Sequence, residues 1–253
     1  TQDLTDTMGL ARCALNPETM QSKKYSVKPA KKQKNIAIIG GGIGGMEAAI
    51  LCAKRGHKVT LYEKTDKLGG VFVAAAAPSF KEKDRALIAW YIREVSKYPI
   101  DLKMNTEIKD INSIKADEII VATGAVAKRI PVKGADTAIE AVDYLLGNKP
   151  VGENVVVIGG GSIGCETAEF LAKQGKKVTI IEMTDTFAGN TGKTAQTILL
   201  GHLKGNGVKL LPEARVEKIT ATEVVYKSKD GKTNSVKADT VVLAIGNRPD
   251  TSL

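Results

Sequence analysis

Aromatic residues are scarce: one Trp, four Phe and six Tyr make up 4% of 253 residues. No stacking platform for bases therefore accompanies the net charge of +9, and nucleic acid is not an expected partner. The lysines are spread along the chain and are dense only between Ser22 and Lys34, which reads as a solvated linker. Cysteine is equally sparse. Cys13, Cys52 and Cys165 are odd in number and widely separated, which argues against a secreted disulfide framework. No uncharged run approaches the roughly 20 residues that a membrane helix needs. The N-terminus lacks both a basic n-region and an apolar h-region, so a cytoplasmic chain without a membrane partner is expected. A hydrophobic content of 43% over this length suits two domains, each with its own core.

What is abundant is glycine, and it is concentrated. Asn35 to Glu63 reads as strand, phosphate loop, helix and second strand. The uncharged run Ile36 to Ile39 suits a parallel strand buried on both faces. Gly40, Gly42 and Gly45 form GxGxxG: the first lets the chain turn, the second admits a pyrophosphate to the backbone, and the third lets helix pack against strand. Ile43 and Gly44 begin the helix, where N–H groups face an anion. Ala49 keeps the helix tight and Gly56 stops it. The strand Lys58 to Tyr62 ends at Glu63, 23 residues beyond Gly40, about where a carboxylate accepts from a ribose hydroxyl. Lys64 follows in the same candidate site.

Leu68-Gly69-Gly70 completes ExxxxLGG, whose paired glycines allow backbone to lie close to a ligand. A helix is expected from Lys81 to Lys97, with Leu87, Ile88, Tyr91, Ile92 and Val95 on one face and Pro99 ending it. Strands are expected at Asp101 to Thr106 and at Glu118 to Ala122, the second emptying into the turn Thr123-Gly124 beneath a cofactor. Pro131 to Gly152 reads as a junction with a helix over Ile139 to Leu146.

The opening pattern then returns. Asn154 to Glu182 matches Asn35 to Glu63 at 15 of 29 positions, at an offset of 119. This is an internal repeat. Gly159, Gly161 and Gly164 repeat the glycine set, with Ser162 and Ile163 at the helix start, and Glu182 repeats the terminal acid. Beyond it come a helix from Lys193 to Lys204, a strand at Val208 to Leu211, and a meander from Ala214 to Ala238 with a hairpin at Asp230-Gly231. A last strand from Thr240 to Ile245 runs into Gly246-Asn247-Arg248-Pro249, mirroring Thr123-Gly124.

Two helix N-termini of this kind supply charge-assisted bonds of about 1.5 to 3 kcal/mol each to a pyrophosphate. Glu63 and Glu182 disfavour a ribose 2′-phosphate, because like charges about 4 Å apart at an effective dielectric near 20 repel by about 4 kcal/mol. FAD and NAD(H) are thus expected over NADP.

Taken together, ExxxxLGG, the Ala122-Thr123-Gly124 turn and the Ala244-to-Pro249 turn resemble the two-dinucleotide-domain flavoproteins from about Asn35 onward. The resemblance implies an α/β fold of two Rossmann-like three-layer domains, the second inserted in the first. FAD would occupy the first, residues 35–130, and nicotinamide nucleotide the second, residues 131–246, with 247–253 returning to the first. By the same resemblance Glu166 lies near the nicotinamide end; read from the residues alone, it is a helix-surface glutamate. Disulfide reductases of this group carry CxxxxC or CxxC. Neither is present, and Cys52 and Cys165 read as small apolar residues.

Residues 1–34 read as a tail containing Arg12-Cys13-Ala14-Leu15-Asn16-Pro17. This resembles the last cluster cysteine of the iron-sulfur old-yellow-enzyme family, which includes 2,4-dienoyl-CoA reductase, 2-enoate reductase and trimethylamine dehydrogenase. Cys13 would then be a 4Fe-4S ligand in an intact parent with an N-terminal FMN barrel. The flavoprotein pattern also calls for a later Gly-Asp, absent here, so the chain reads as a C-terminally truncated fragment whose FAD site lacks a wall. The resemblance implies electrons passing from NADH to FAD, then through the cluster to FMN and an enoate or enoyl-CoA. No side chain here need act as acid or base. The alternatives are a structural domain that holds ADP, and a diaphorase or glutamate-synthase-like electron-transfer subunit. The oligomeric state is unspecified.

Overall fold

The computed structural model describes residues 13 and 15–253. Arg12 and Ala14 of the cysteine motif, with the residues before them, lie outside the described residues. The chain forms two compact units. One comprises the residues up to Ala125 together with Pro249–Leu253, and the other is Val126–Arg248.

The first unit opens with a short helix α1 (Ser22–Tyr25). The lysine-rich segment after it is tied down where Ala30 N–H donates to Arg55 O at 2.9 Å. Strand β1 (Asn35–Ile39), helix α2 (Ile43–Lys54) and strand β2 (Lys58–Tyr62) follow, then helices α3 (Phe72–Ala75) and α4 (Glu82–Val95), and strands β3 (Ile100–Lys103) and β4 (Glu118–Val121). The four strands are parallel in the order β3-β2-β1-β4, so the strand that runs into the first glycine loop is an inner one. Ile36, Ile38 and Leu61 are buried against Met46, Ala49 and Ile50 of α2. Burying each large aliphatic side chain contributes about 1.5 to 3 kcal/mol.

Helix α4 is shorter than its periodicity suggests, and Ile92 is 43% exposed. The face turned inward is centred on Tyr91 and ends with buried Val95, which leaves Ile92 past its edge. The strand expected to Thr106 stops at Lys103, where Asn105 takes a positive φ of 52° and turns the chain.

The second unit begins in β5 (Ala125–Ala127) and adds β6 (Ile139–Glu140), α5 (Ala141–Leu145), β7 (Asn154–Ile158), α6 (Ser162–Lys173), β8 (Lys177–Ile181), α7 (Lys193–Gly205) and β9 (Lys209–Leu211). A meander of β10 (Arg215–Ile219), β11 (Glu223–Lys227) and β12 (Thr233–Lys237) precedes β13 (Thr240–Leu243) and β14 (Asn247–Pro249). The main sheet is parallel in the order β6-β13-β7-β8-β9. One face packs on α6 and α7 through Val155, Val157, Leu171 and Leu203. The other packs on the meander through Val156, Ile158, Val216 and Val224, which gives three layers.

The junction segment differs from its sequence reading. Ile139 and Glu140 are strand rather than helix, because they pair with Val242 and Leu243 at the sheet edge. Nor is the strand opened by Thr240 the last one. It ends at Leu243, and β14 then pairs with β5 in a two-stranded sheet. Both crossings between the units fall within these two strands, a few residues from the sequence-derived boundaries at 130 and 246.

Candidate functional site

Each unit ends its central strand in a glycine loop, and the backbone explains which glycines are obligatory. Gly40 has φ +107°, and a Cβ there would lie 2.3 Å from Ala122 O; a Cβ at Gly45 would lie 1.8 Å from Gly40 O. In the second unit Gly159 has φ +108° and a Cβ there would lie 2.5 Å from Ala244 O, while a Cβ at Gly164 would lie 1.9 Å from Gly159 O. The first and third glycines are therefore required by packing alone. The second is not. A Cβ at Gly42 would meet only Gly70 Cα at 4.0 Å, Gly44 has open space, and Gly161 meets only Asn190 Oδ1 at 3.9 Å. Bare backbone facing open space at the start of a helix is what an approaching phosphate requires, so these residues fit a dinucleotide.

The acids at the ends of β2 and β8 lie against these loops. Glu63 Oε2 accepts from Gly41 N–H at 2.7 Å, and its Oε1 accepts from Thr65 N–H and Oγ1, both at 2.8 Å. Glu182 repeats the arrangement: Oε2 accepts from Gly160 N–H at 2.6 Å, and Oε1 from Thr184 N–H at 2.8 Å and Oγ1 at 3.0 Å. Three of a carboxylate's roughly four lone-pair positions are thus filled, leaving one on Oε2.

Gly41, Gly160, Thr65 and Thr184 were missed by motif reading. Their signal is in the repeat, which continues past Glu63: Thr65, Asp66 and Gly70 recur as Thr184, Asp185 and Gly189 at the same offset. Gly69 N–H donates to Gly41 O at 2.9 Å, and Ala188 N–H donates to Gly160 O at 2.7 Å. So Gly69-Gly70 packs on the glycine loop, and the second unit forms the same contact with Ala188 at φ 50°.

The remaining candidates fall around these loops. Ile43 and Ser162 open α2 and α6, Ile163 is 42% exposed beside Ser162, and Lys64 is exposed next to Glu63. Thr123 and Gly124 follow β4, where Thr123 Oγ1 donates to Asp250 O at 3.2 Å. Gly124 and Gly246, at φ +82° and +90°, both face open space. Glu166 is half-buried on α6. Met183, after Glu182, is 72% exposed. Ser162 N–H is already paired, accepting partner Asn190 Oδ1 standing 3.0 Å away.

The thiols are separate and free. Cys165 Sγ donates to Gly160 O at 3.3 Å, and burial pushes its pKa up to about 11. Burial also raises Cys52, in the other unit. Exposed Cys13 lies below the ordinary thiol value, because the N–H groups of Leu15 and Asn16 favour its thiolate. Among the described residues no group of three or more His, Cys, Asp or Glu side chains could hold a metal ion. Nor is any helix among them long and apolar enough to cross a membrane.

Comparison with known proteins agrees with this geometry. A family model described as pyridine nucleotide-disulphide oxidoreductase matches residues 13–113 and 34–253. A cinnamate reductase of Clostridium sporogenes is 39% identical over 239 residues, covering 92% of this chain and 36% of that protein. An NADH oxidase of Thermoanaerobacter brockii is 36% identical over 247 residues, covering 94% and 38%. A 2-naphthoyl-CoA reductase structure superposes with a TM-score of 0.88 at 30% identity, covering 93% of this chain and 37% of that one. The chain thus spans less than two fifths of the length of each of these three relatives.

Proposed function

The chain belongs to the pyridine nucleotide-disulphide oxidoreductase family, and from that premise we propose that it is the NADH-dependent reductase module of an iron-sulfur flavoenzyme. The observation that carries this reading is the doubled cradle: two helix N-termini below glycines that packing does not require, each beside a strand-end glutamate held by its own loop. In the first unit Gly42, Ile43 and Gly44 would hold the FAD pyrophosphate, Glu63 its ribose, and Gly69-Gly70 and Thr123-Gly124 the flanks. In the second, Gly161, Ser162 and Ile163 would hold the NADH pyrophosphate and Glu182 the ribose, with Glu166 and Gly246 toward the nicotinamide.

The chemistry that bound FAD would supply is acceptance of one hydride, two electrons, from NADH and their release one at a time. This chain's residues bind and orient; none needs to move a proton. The family's thiol route does not fit here, because Cys52 and Cys165 are in different units and both thiols are held protonated by burial. In the parent, Cys13 would complete a 4Fe-4S cluster with cysteines outside this sequence, leading to an FMN barrel that reduces an enoate or enoyl-CoA. The names of the relatives, two of them reductases and one an NADH oxidase, support that direction.

Anaerobic titration of the FAD-loaded protein with NADH tests the reading. Bleaching of the visible flavin band is expected. An unchanged band with nucleotide bound would favour a structural domain that holds ADP.

A further inference from the structure

Among the positions at which the two cradles differ, one bears directly on the start of the helix. Residue 190 of the second unit corresponds to residue 71 of the first at the offset of 119, and the pair is Asn190 and Val71. Asn190 Oδ1 accepts from Ser162 N–H at 3.0 Å, and Asn190 Nδ2 donates to Ser162 Oγ at 3.0 Å. Ser162 is the first residue of α6, directly after Gly161, so its N–H is one of the unpaired donors that a helix offers to an anion. Val71 is 53% exposed and has no polar atom with which to fill the equivalent place at Ile43.

We propose that Asn190 is a latch on the pyrophosphate position of the second cradle, its amide oxygen standing in for a phosphate oxygen until nucleotide displaces it. This rests on the reading of the second unit as a nicotinamide dinucleotide site. A ligand entering the first cradle meets no side-chain amide from residue 71. A ligand entering the second must first release two neutral hydrogen bonds, and its affinity falls accordingly. Asn190 is exposed, so it swings away without opening the core. The asymmetry suits the two roles: a flavin stays through many turnovers, whereas a nicotinamide nucleotide must leave after each one.

The test is calorimetric titration of wild type, Asn190→Val and Asn190→Asp with NADH, ADP and adenosine. Asn190→Val copies residue 71 of the first cradle and should tighten NADH and ADP by about three- to tenfold, the range of one neutral hydrogen bond, because the exposed Nδ2–Oγ bond is exchanged for bonds to water at little net cost. Asn190→Asp places a carboxylate on the helix N-terminus and should weaken both by at least about tenfold. Adenosine, lacking phosphate, should bind all three proteins alike; a general collapse of the site would weaken adenosine as well and would overturn the proposal. Wild-type binding of NADH and ADP that Asn190→Val leaves unchanged or weakens overturns the latch alone. No binding of any nucleotide to any of the three proteins overturns the nucleotide reading and the latch together.

Discussion

Gly160 N–H donates to Glu182 Oε2 at 2.6 Å, and 119 residues earlier Gly41 N–H donates to Glu63 Oε2 at 2.7 Å. The acid at the end of the second strand is therefore part of the glycine loop's own architecture in both units. In the proposed function it is also the group whose charge would select the ribose.

Replacing Glu182 with arginine removes that charge and should shift preference toward NADPH. The ratio of dissociation constants for NADPH and NADH is expected to move by at least about tenfold, a fraction of the about 4 kcal/mol between like charges about 4 Å apart at an effective dielectric near 20. A ratio that does not move would remove Glu182 as the ribose ligand.

Thr184 holds Glu182 through its hydroxyl at 3.0 Å as well as its N–H at 2.8 Å. Thr184→Val keeps only the second bond and should weaken NADH binding by about three- to tenfold, the worth of one hydrogen bond. Thr184→Ser should restore it. A loss in Thr184→Ser with none in Thr184→Val would show that the methyl, not the hydroxyl, matters.

Gly45 and Gly42 separate folding from binding. Gly45→Ala would put a Cβ 1.8 Å from Gly40 O and should cost about 3 kcal/mol or more, read as a lower melting temperature. Gly42→Ala meets nothing closer than 4.0 Å and has φ −68°, so its stability should stay within about 1 kcal/mol of wild type. Its FAD affinity should nevertheless fall by at least about tenfold, through loss of backbone approach. Undiminished affinity would place the pyrophosphate elsewhere.

The cysteines should label in a fixed order. Cys13 is exposed with a lowered pKa, Cys52 is half-buried with a raised one, and Cys165 is buried with a pKa of about 11. Since the thiolate is the nucleophile, iodoacetamide at neutral pH should modify Cys13 first and Cys165 last, as read by peptide mass spectrometry. Early labelling of Cys165 would contradict its burial.

Asp239 closes the opposite end of β7 by accepting from Asn154 N–H and Nδ2, both at 2.8 Å, and these donors hold its carboxyl below the ordinary 3.8. A folded pKa below the unfolded one stabilises fully above the unfolded value, and the contribution is lost as pH falls through the folded value. The melting-temperature gap between wild type and Asp239→Asn should thus be present at neutral pH and close as pH drops below 3.8. A gap constant with pH would assign the effect to packing.

Much of the fold was legible because it depends on local period and on glycine. Lys58 to Tyr62 and Lys193 onward matched their patterns, since buried strands and amphipathic helices carry their environment in their composition. Ile139 and Glu140 read as helix because nothing local reveals that β13 will offer them an edge. Ile92 looked like a core residue because its apolar character is local, whereas the edge of the face α4 buries is set by its neighbours.

The cradle divides the same way. Composition and spacing alone determined two glycine fingerprints, two strand-end acids and the absence of a dithiol, because each is a matter of residue identity along the chain. Only the tertiary structure decided that Gly40 and Gly45 serve packing while Gly42 leaves open space, that Thr65 and Thr184 hold the acids, and that Asn190 reaches Ser162. Those are distances between segments up to 82 residues apart, as between Gly40 and Ala122, and no local periodicity encodes them.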